Sequence, residues 1–269
     1  MITFPNAKIN IGLDVLNKRP DSYHNIESLF YPIPLQDALE IIPSNGELEY
    51  TTSGIALECV ADDNLVVKAF RLLQEQYHLP NVKIHLHKHI PFGAGLGGGS
   101  SDAAFTLRMI NEMFELNISE TQLIKYAASL GADCAFFIKN TPQMASGIGD
   151  VLTDASLSLK GKYLLLLKPN IAVPTASAYR FIVPRQPEVP LSKHLSLPLK
   201  QWEGLVKNDF EISVFRQFPH LAELKAMMYN LGAEYAAMSG SGSSIYGIFD
   251  EKPQHNATFA SYFCFEAEL

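Results

Sequence analysis

The sequence predicts an α+β protein of two domains, and three features carry that expectation. A half-buried strand pattern at 82–90 leads straight into a glycine-rich loop and a helix. Strand-like and helix-like stretches alternate along the chain without the steady βαβ rhythm of a parallel sheet. After Ile148-Gly149-Asp150 the pattern changes, which divides the chain into an N-terminal domain at 1–153 and a C-terminal domain at 154–269. At 269 residues, 47% of them hydrophobic, the chain has ample material for both cores.

Taken in order, an early apolar strand carries Lys8. Val82, Ile84, Leu86 and Ile90 alternate with Lys83, His85, His87 and His89, the period of two that buries one face of a strand, and Pro91 ends it. From Ser101, Ala104, Leu107, Ile110, Met113 and Phe114 recur at helical spacing, so a helix is expected to about Glu115. Ser119-Glu120-Thr121-Gln122 is a capping box that opens a second helix, with Gly131 at its C-terminal cap. A strand at 163–168 precedes a loop-like stretch at 184–200, which holds Pro184, Pro187, Pro190 and Pro198. Helical patterns are expected at 200–216 and 218–231, then a glycine-serine turn at 238–244 and a strand at 245–249.

The balance of 28 acidic against 21 basic residues, a net charge of −7, argues against a broad surface for nucleic acid or anionic membrane. A local basic site for an anionic small molecule remains compatible with it. Cys59, Cys134 and Cys264 are odd in number and far apart, as expected of reduced thiols and not of a disulfide framework. The stretch Met1 to Lys8 is too short and mixed for a signal peptide, and the most apolar run, Tyr163 to Leu167, is strand-sized. A cytoplasmic protein with neither a membrane nor a nucleic-acid partner is expected.

The glycine loop is the strongest local signal. Five glycines fall in the seven positions 93–99, directly before a helix. Each costs ordering entropy and brings no side chain to bury. Together they supply a backbone that can press against a ligand, and N–H groups at a helix N-terminus suit a phosphate. Gly93-x-Gly95-x-x-Gly98 matches the dinucleotide fingerprint, but no strand-end acid follows about twenty residues on, where a second helix is expected. Gly93 and Gly98 have Walker spacing, yet Gly99 stands where that loop needs lysine. A flexible linker fails because periodic apolar elements abut both ends.

Pro-x-Gly-x-Gly-Leu-Gly-Gly-Gly-Ser-Ser-Asp, from Pro91 to Asp102, resembles the phosphate loop of the kinase superfamily of galactokinase, homoserine kinase, mevalonate kinase and phosphomevalonate kinase. Its core is most similar to that of the family acting on 4-(cytidine 5′-diphospho)-2-C-methyl-D-erythritol. Ala7-Lys8-Ile9-Asn10, Asp21-Ser22-Tyr23-His24-Asn25, Leu130-Gly131-Ala132-Asp133 and Met238-Ser239-Gly240-Ser241-Gly242 resemble further motifs of that family, in order along nearly the whole chain. Ser22 departs from the glycine usual at that place, and the stretch 184–200 does not align.

The resemblance implies the two-domain fold of those kinases, an active site in the interdomain cleft, and ATP with Mg²⁺ as cofactors. The implied reaction is phosphorylation of the 2-hydroxyl of that cytidine diphosphate-linked methylerythritol, a small-molecule substrate of non-mevalonate isoprenoid precursor synthesis. Pro91, Phe92, Gly93, Ala94, Gly95, Leu96, Gly97, Gly98, Gly99, Ser100 and Ser101 would wrap the triphosphate. Ser100 or Ser101 would offer a hydroxyl to a phosphate or to Mg²⁺, and no side chain is identified as a direct metal ligand. Asp133 is implied as the catalytic acid–base, taking the hydroxyl proton or orienting that hydroxyl. Lys8 either pairs with it and lowers its pKa, or stabilises the reacting oxygen. Tyr23 and Tyr179 would flank the cytosine, His24 would read it, and Asn10 would contact the diphosphate or erythritol portion. Asn208 and Asp209 match a further segment of the family without an assigned role.

Plainer readings stand beside these. Asp133 also suits a turn, Lys8 a solvated strand and Tyr179 a core rim. A homoserine or mevalonate-type kinase has no cytosine to hold with Tyr23-His24-Asn25, and a silent nucleotide binder has no need of Lys8 with Asp133. His85, His87 and His89 share one strand face, but no further ligands for zinc lie nearby in sequence, so a solvent-facing surface is expected.

Overall fold

A computed structural model describes residues 1–56, 60–255 and 259–269; Cys59 lies outside them. The strands are β1 (Ile2–Thr3), β2 (Asn6–Lys18), β3 (His24–Gln36), β4 (Ala38–Pro43), β5 (Glu49–Gly54), β6 (Val82–Lys88), β7 (Gln143–Ser146) and β8 (Val151–Asp154). They continue with β9 (Tyr163–Lys168), β10 (Tyr235–Met238), β11 (Ile245–Phe249) and β12 (Phe263–Glu268). The helices are α1 (Leu65–Tyr77), α2 (Gly98–Met113), α3 (Glu120–Leu130), α4 (Phe136–Lys139), α5 (Thr175–Ala178), α6 (Leu191–Leu195), α7 (Phe210–Gln217) and α8 (Pro219–Asn230). None among the described residues is long and apolar enough to cross a membrane.

The chain divides into two compact units that interleave along the sequence. The first comprises Met1–Lys8, Leu35–Phe92 and Gly97–Thr141; the second comprises Ile9–Pro34, Gly93–Leu96 and Pro142–Leu269.

In the first unit a sheet runs in the order β1-β4-β6-β5, antiparallel except for the parallel β5–β6 pair. The alternation expected of β6 is present: Val82, Ile84 and Leu86 are buried, while Lys83 and His87 are exposed. Lys88 follows the buried phase, against its chemistry. On the other face, His85 and His87 hydrogen-bond with Thr51 and Ser53 of β5. Asn64 caps α1 by accepting from the Val66 N–H at 2.9 Å. The box at Ser119 caps α3, its Oγ accepting from the Gln122 N–H at 3.3 Å, and Gly131 ends that helix. The helix expected from Ser101 begins three residues earlier, at Gly98, because the chain completes its reversal at Gly97.

In the second unit the sheets run β2-β3-β7-β8 and β10-β11-β9-β12, the latter antiparallel throughout. Leu13, Val15, Leu165 and Leu167 share a core with Val214 of α7 and Leu221, Leu224 and Met228 of α8. The helix expected over 200–216 forms only from Phe210. Before it, the Leu13 N–H donates to the Lys207 carbonyl at 2.7 Å and the Asp209 N–H to the Leu13 carbonyl at 2.8 Å, so that stretch runs beside β2. The loop expected over 184–200 contains α6, whose Leu191 packs so close to Gly12 that a Cβ there would stand 2.5 Å from Leu191 Cδ1.

Asn208 fastens this unit. Its Nδ2 donates to the carbonyls of Met238 at 2.7 Å and Gly240 at 2.8 Å, and its Oδ1 accepts from the Phe210 N–H at 3.0 Å. Asn208→Ala strands these buried groups and is expected to cost about 3 kcal/mol of stability, read from the midpoint of urea unfolding.

Candidate active site

The loop after β6 is shaped at both ends by what its glycines permit. Gly97 takes φ +68°, and a Cβ there would stand 3.0 Å from Phe137 Cζ and 3.3 Å from Lys8 Cε. Only glycine fits that turn without strain. No side chain among the described residues caps α2. Its first intrahelical bond is donated by the Ser101 N–H to the Gly97 carbonyl at 2.9 Å. The N–H groups of Gly98, Gly99 and Ser100 therefore point out of the helix at the positive end of its dipole, an arrangement suited to an anion.

The middle of the loop, Gly93–Leu96, belongs to the second unit. Ala94 and Leu96 are buried, whereas Phe92 before them is 78% exposed. Gly95 takes φ +76°, with the Ser239 carbonyl oxygen only 2.0 Å from where its Cβ would be. The glycine-serine turn holds it there. Ser239 Oγ donates to the Gly95 carbonyl at 2.7 Å, and the Ser244 N–H donates to that of Ala94 at 3.2 Å. Asn10 supports the same turn through its N–H, which donates to Ser239 Oγ at 3.1 Å. Its carbonyl accepts from Tyr246 Oη at 2.7 Å, and its Nδ2 donates to Ser28 Oγ at 2.9 Å.

Lys8, on β2, is buried except for a few per cent of its surface, and its Nζ lies 3.3 Å from Asp133 Oδ2. Asp133 stands three residues past the end of α3, and its side chain is one-third exposed. A buried cation thus meets a carboxylate that water can reach, with Gly97 against the same lysine. Cys134 beside it is no rival nucleophile: burial pushes its thiol up to about 11, against a hydrogen bond with Ser100.

His24 and Tyr179 stack with ring centroids 4.7 Å apart and planes at 16°, and Phe210 meets Tyr179 edge-on. Burial, then the nearby charge of Lys18, lowers the pKa of His24, which keeps the imidazole neutral at neutral pH. Tyr23 is 61% exposed. The turn before it holds Ser22 at φ +70°, so serine adopts the left-handed backbone expected of glycine.

The structure thus joins Lys8 with Asp133 and Gly97, Asn10 with the glycine-serine turn, and His24 with Tyr179. Sequence reasoning left Asn208, Ser239 and Tyr246 without roles, because their partners lie far away in the chain. Buried Lys88 it overlooked altogether, although a lysine in the apolar phase of β6 was the available signal.

Residues 64–141 match the GHMP kinases N terminal domain, and residues 198–261 match the GHMP kinases C terminal. The chain is 51% identical over 275 residues to 4-diphosphocytidyl-2-C-methyl-D-erythritol kinase of Bacteroides fragilis, with 100% of each chain covered. A crystal structure of 4-(cytidine 5′-diphospho)-2C-methyl-D-erythritol kinase superposes with a TM-score of 0.80 at 33% identity, covering 92% of this chain and 90% of that one. The mevalonate kinase of Methanococcus jannaschii, at 12% identity and a TM-score of 0.72 over 100% and 98% of the two chains, shares the fold.

Two substitutions separate the demands on the loop. Gly95→Ala drives a Cβ into the Ser239 backbone and is expected to cost about 2–3 kcal/mol. At Gly99 a Cβ meets nothing nearer than Leu65 Cδ1 at 4.0 Å, so Gly99→Ala is expected to be neutral or to stabilise by up to about 1 kcal/mol. Thermal unfolding of the two variants beside the parent protein checks both.

Proposed function

This chain belongs to the 4-diphosphocytidyl-2-C-methyl-D-erythritol kinase family of GHMP kinases, and we propose that Lys8 and Asp133 are the catalytic pair of its reaction. The reaction is the ATP-dependent phosphorylation of the 2-hydroxyl of 4-(cytidine 5′-diphospho)-2-C-methyl-D-erythritol, in the non-mevalonate route to isoprenoid precursors. The residue assignment is carried by one observation: the Lys8 ammonium reaches Asp133 while its stem lies against Gly97, the cap of the helix whose first N–H groups are open to an anion.

Phosphoryl transfer asks for position and charge more than for covalent help. In this reading, Pro91–Ser101 holds the triphosphate against the outward N–H groups of α2. Asp133 accepts a hydrogen bond from the 2-hydroxyl and takes its proton as the oxygen bonds to the γ-phosphorus. The bond from that phosphorus to the β–γ bridging oxygen breaks, and ADP leaves with the electron pair. The exposed third of Asp133 lets the proton pass to water. Lys8 lies where its charge offsets the charge building on the transferring oxygens.

Mg²⁺ accompanies ATP in this reading and, when bound, offsets charge on the β- and γ-oxygens. Ser101 fits it best, since its Oγ is buried without a hydrogen-bond partner and Ser100 is engaged with Cys134. One hydroxyl suffices because Mg²⁺ retains water and phosphate ligands. No group of three acidic, histidine or cysteine side chains able to hold a metal occurs among the described residues.

On the acceptor side, the exposed Tyr23 ring provides a stacking surface for cytosine, with Tyr179 on the other flank. Tyr179 also braces His24, whose neutral imidazole can both donate to and accept from the base edge. Asn10 serves the diphosphate or erythritol portion. The loop and the catalytic pair fall within 1–153, and Tyr179 is contributed from 154–269. A net charge of −7 suits a cytoplasmic enzyme that acts on a small molecule and not on nucleic acid.

Coupled ADP release is expected with the cytidine substrate and not with homoserine or mevalonate; ADP release with either of those alone overturns the substrate assignment. Asp133→Asn is expected to lower kcat by about 10²–10⁴-fold while ATP-analogue binding stays within about twofold. Near-normal kcat in that variant removes Asp133 from its role.

A further inference from the structure

Three buried ionisable groups beside the phosphate loop take no part in the reaction as described. Asp37, Lys88 and Asp102 are each 3% exposed or less. Lys88 Nζ donates to Asp37 Oδ2 and, at 2.8 Å, to Asp102 Oδ2. The second oxygen of Asp37, Oδ1, accepts from the backbone N–H groups of His89 at 2.6 Å and Ile90 at 2.8 Å. His89 and Ile90 are the last residues before the loop, and Asp102 stands in the helix just after it. A Cβ on Gly98 would fall 3.4 Å from Lys88 Nζ and 2.9 Å from Ile90 Cγ2, so the ammonium lies under the first turn of α2.

Stability alone does not call for such a group. Three apolar side chains of similar size fill a core at least as well, since buried ions lose their hydration. What the ions add is direction. The loop has five glycines in seven positions and few side chains with which to fix itself. We propose that Asp37, Lys88 and Asp102 are positioning residues of the phosphate loop, clamping the strand that enters it to the helix that leaves it. The clamp keeps the N–H groups of Gly98, Gly99 and Ser100 in one orientation toward the anion. It rests on the reading that this loop receives the ATP phosphates.

The charge state fits the geometry. Burial pulls the Lys88 pKa down, but Asp102 and Asp37 outweigh it and the net direction is upward. Burial pushes Asp102 up to about 8; Lys88 opposes this and Asp37 reinforces it. Asp102 Oδ1 has no hydrogen-bond partner. Lys88 from β6 and Asp37 from the turn before β4 are the charged groups that face it.

The test uses the full-length enzyme, with calorimetric binding of the non-hydrolysable analogue AMPPNP, steady-state kinetics and thermal unfolding. Asp37→Asn is expected to weaken AMPPNP binding and raise KM for ATP by about tenfold or more, with KM for the cytidine substrate moved less than about twofold. A structural lesion alone would lower Tm without that split. Equal shifts in both KM values, or unchanged AMPPNP affinity, overturn the clamp. Asp102→Asn decides the matter if Asp37→Asn does not fold. There AMPPNP binding is expected to weaken and KM for ATP to rise by about threefold or more, with KM for the cytidine substrate moved less than about twofold. Equal shifts in both KM values, or unchanged AMPPNP affinity, in that variant overturn the clamp. Gly99→Asp sets a carboxylate beside the same N–H groups and tests the loop itself. Unchanged AMPPNP affinity there overturns phosphate binding by the loop; lost affinity there with normal affinity in Asp37→Asn overturns the clamp alone.

Discussion

A cradle that offers backbone N–H groups to an anion cannot also spend them on holding itself together. That constraint organises the chain around residues 91–101. Glycine gives close approach and the left-handed turns at Gly95 and Gly97, but removes the side chains that would otherwise fix the loop. Fixation comes from elsewhere. In one unit the flanks are joined through Lys88 and its two carboxylates; in the other the middle is held by Ser239 and Ser244, with Asn10 and Asn208 behind the turn.

Two lysines near the loop show how exposure decides what an ion pair can do. Lys8 and Lys88 are both almost wholly buried. Lys8 meets an aspartate with a third of its side chain in water, which can exchange a proton with its surroundings. Lys88 meets two aspartates sealed from solvent, which can hold shape but have no route for proton traffic. The same residue types thus suit chemistry in one place and geometry in the other.

Much of the fold was legible wherever local signals dominate. The alternation of β6, the Ser119 cap, the Gly131 stop and the strand at 163–168 all depend on neighbours within a few residues. The helix expected over 200–216 failed before Phe210 because Lys207 and Asp209 pair with Leu13, almost two hundred residues away, and no local pattern announces such a partner. For the same reason α6 was read as loop, since what orders it is Leu191 seated on Gly12. The candidate site divides similarly. Its glycines read directly as a phosphate cradle, and the pairing of Lys8 with Asp133 was suggested only by motif resemblance. The support from Asn208, Tyr246 and Asp37 was invisible because polar residues in a sequence do not reveal whether they are buried.

The interleaving of the two units also bears on the order in which a ribosome delivers them. Everything in the first unit has been synthesised once Thr141 emerges, whereas the second holds Ile9–Pro34 from the start and needs Pro142–Leu269 to complete it. Until then Leu13, Val15 and Ile26 sit on early strands whose later core partners, among them Leu165, Val214 and Leu224, do not yet exist. A lone hairpin of that kind is marginal in water, and its apolar residues are open to wrong partners. The nascent chain must therefore carry an unfinished second core past a nearly finished first one, a burden on translation and chaperones that the folded enzyme conceals.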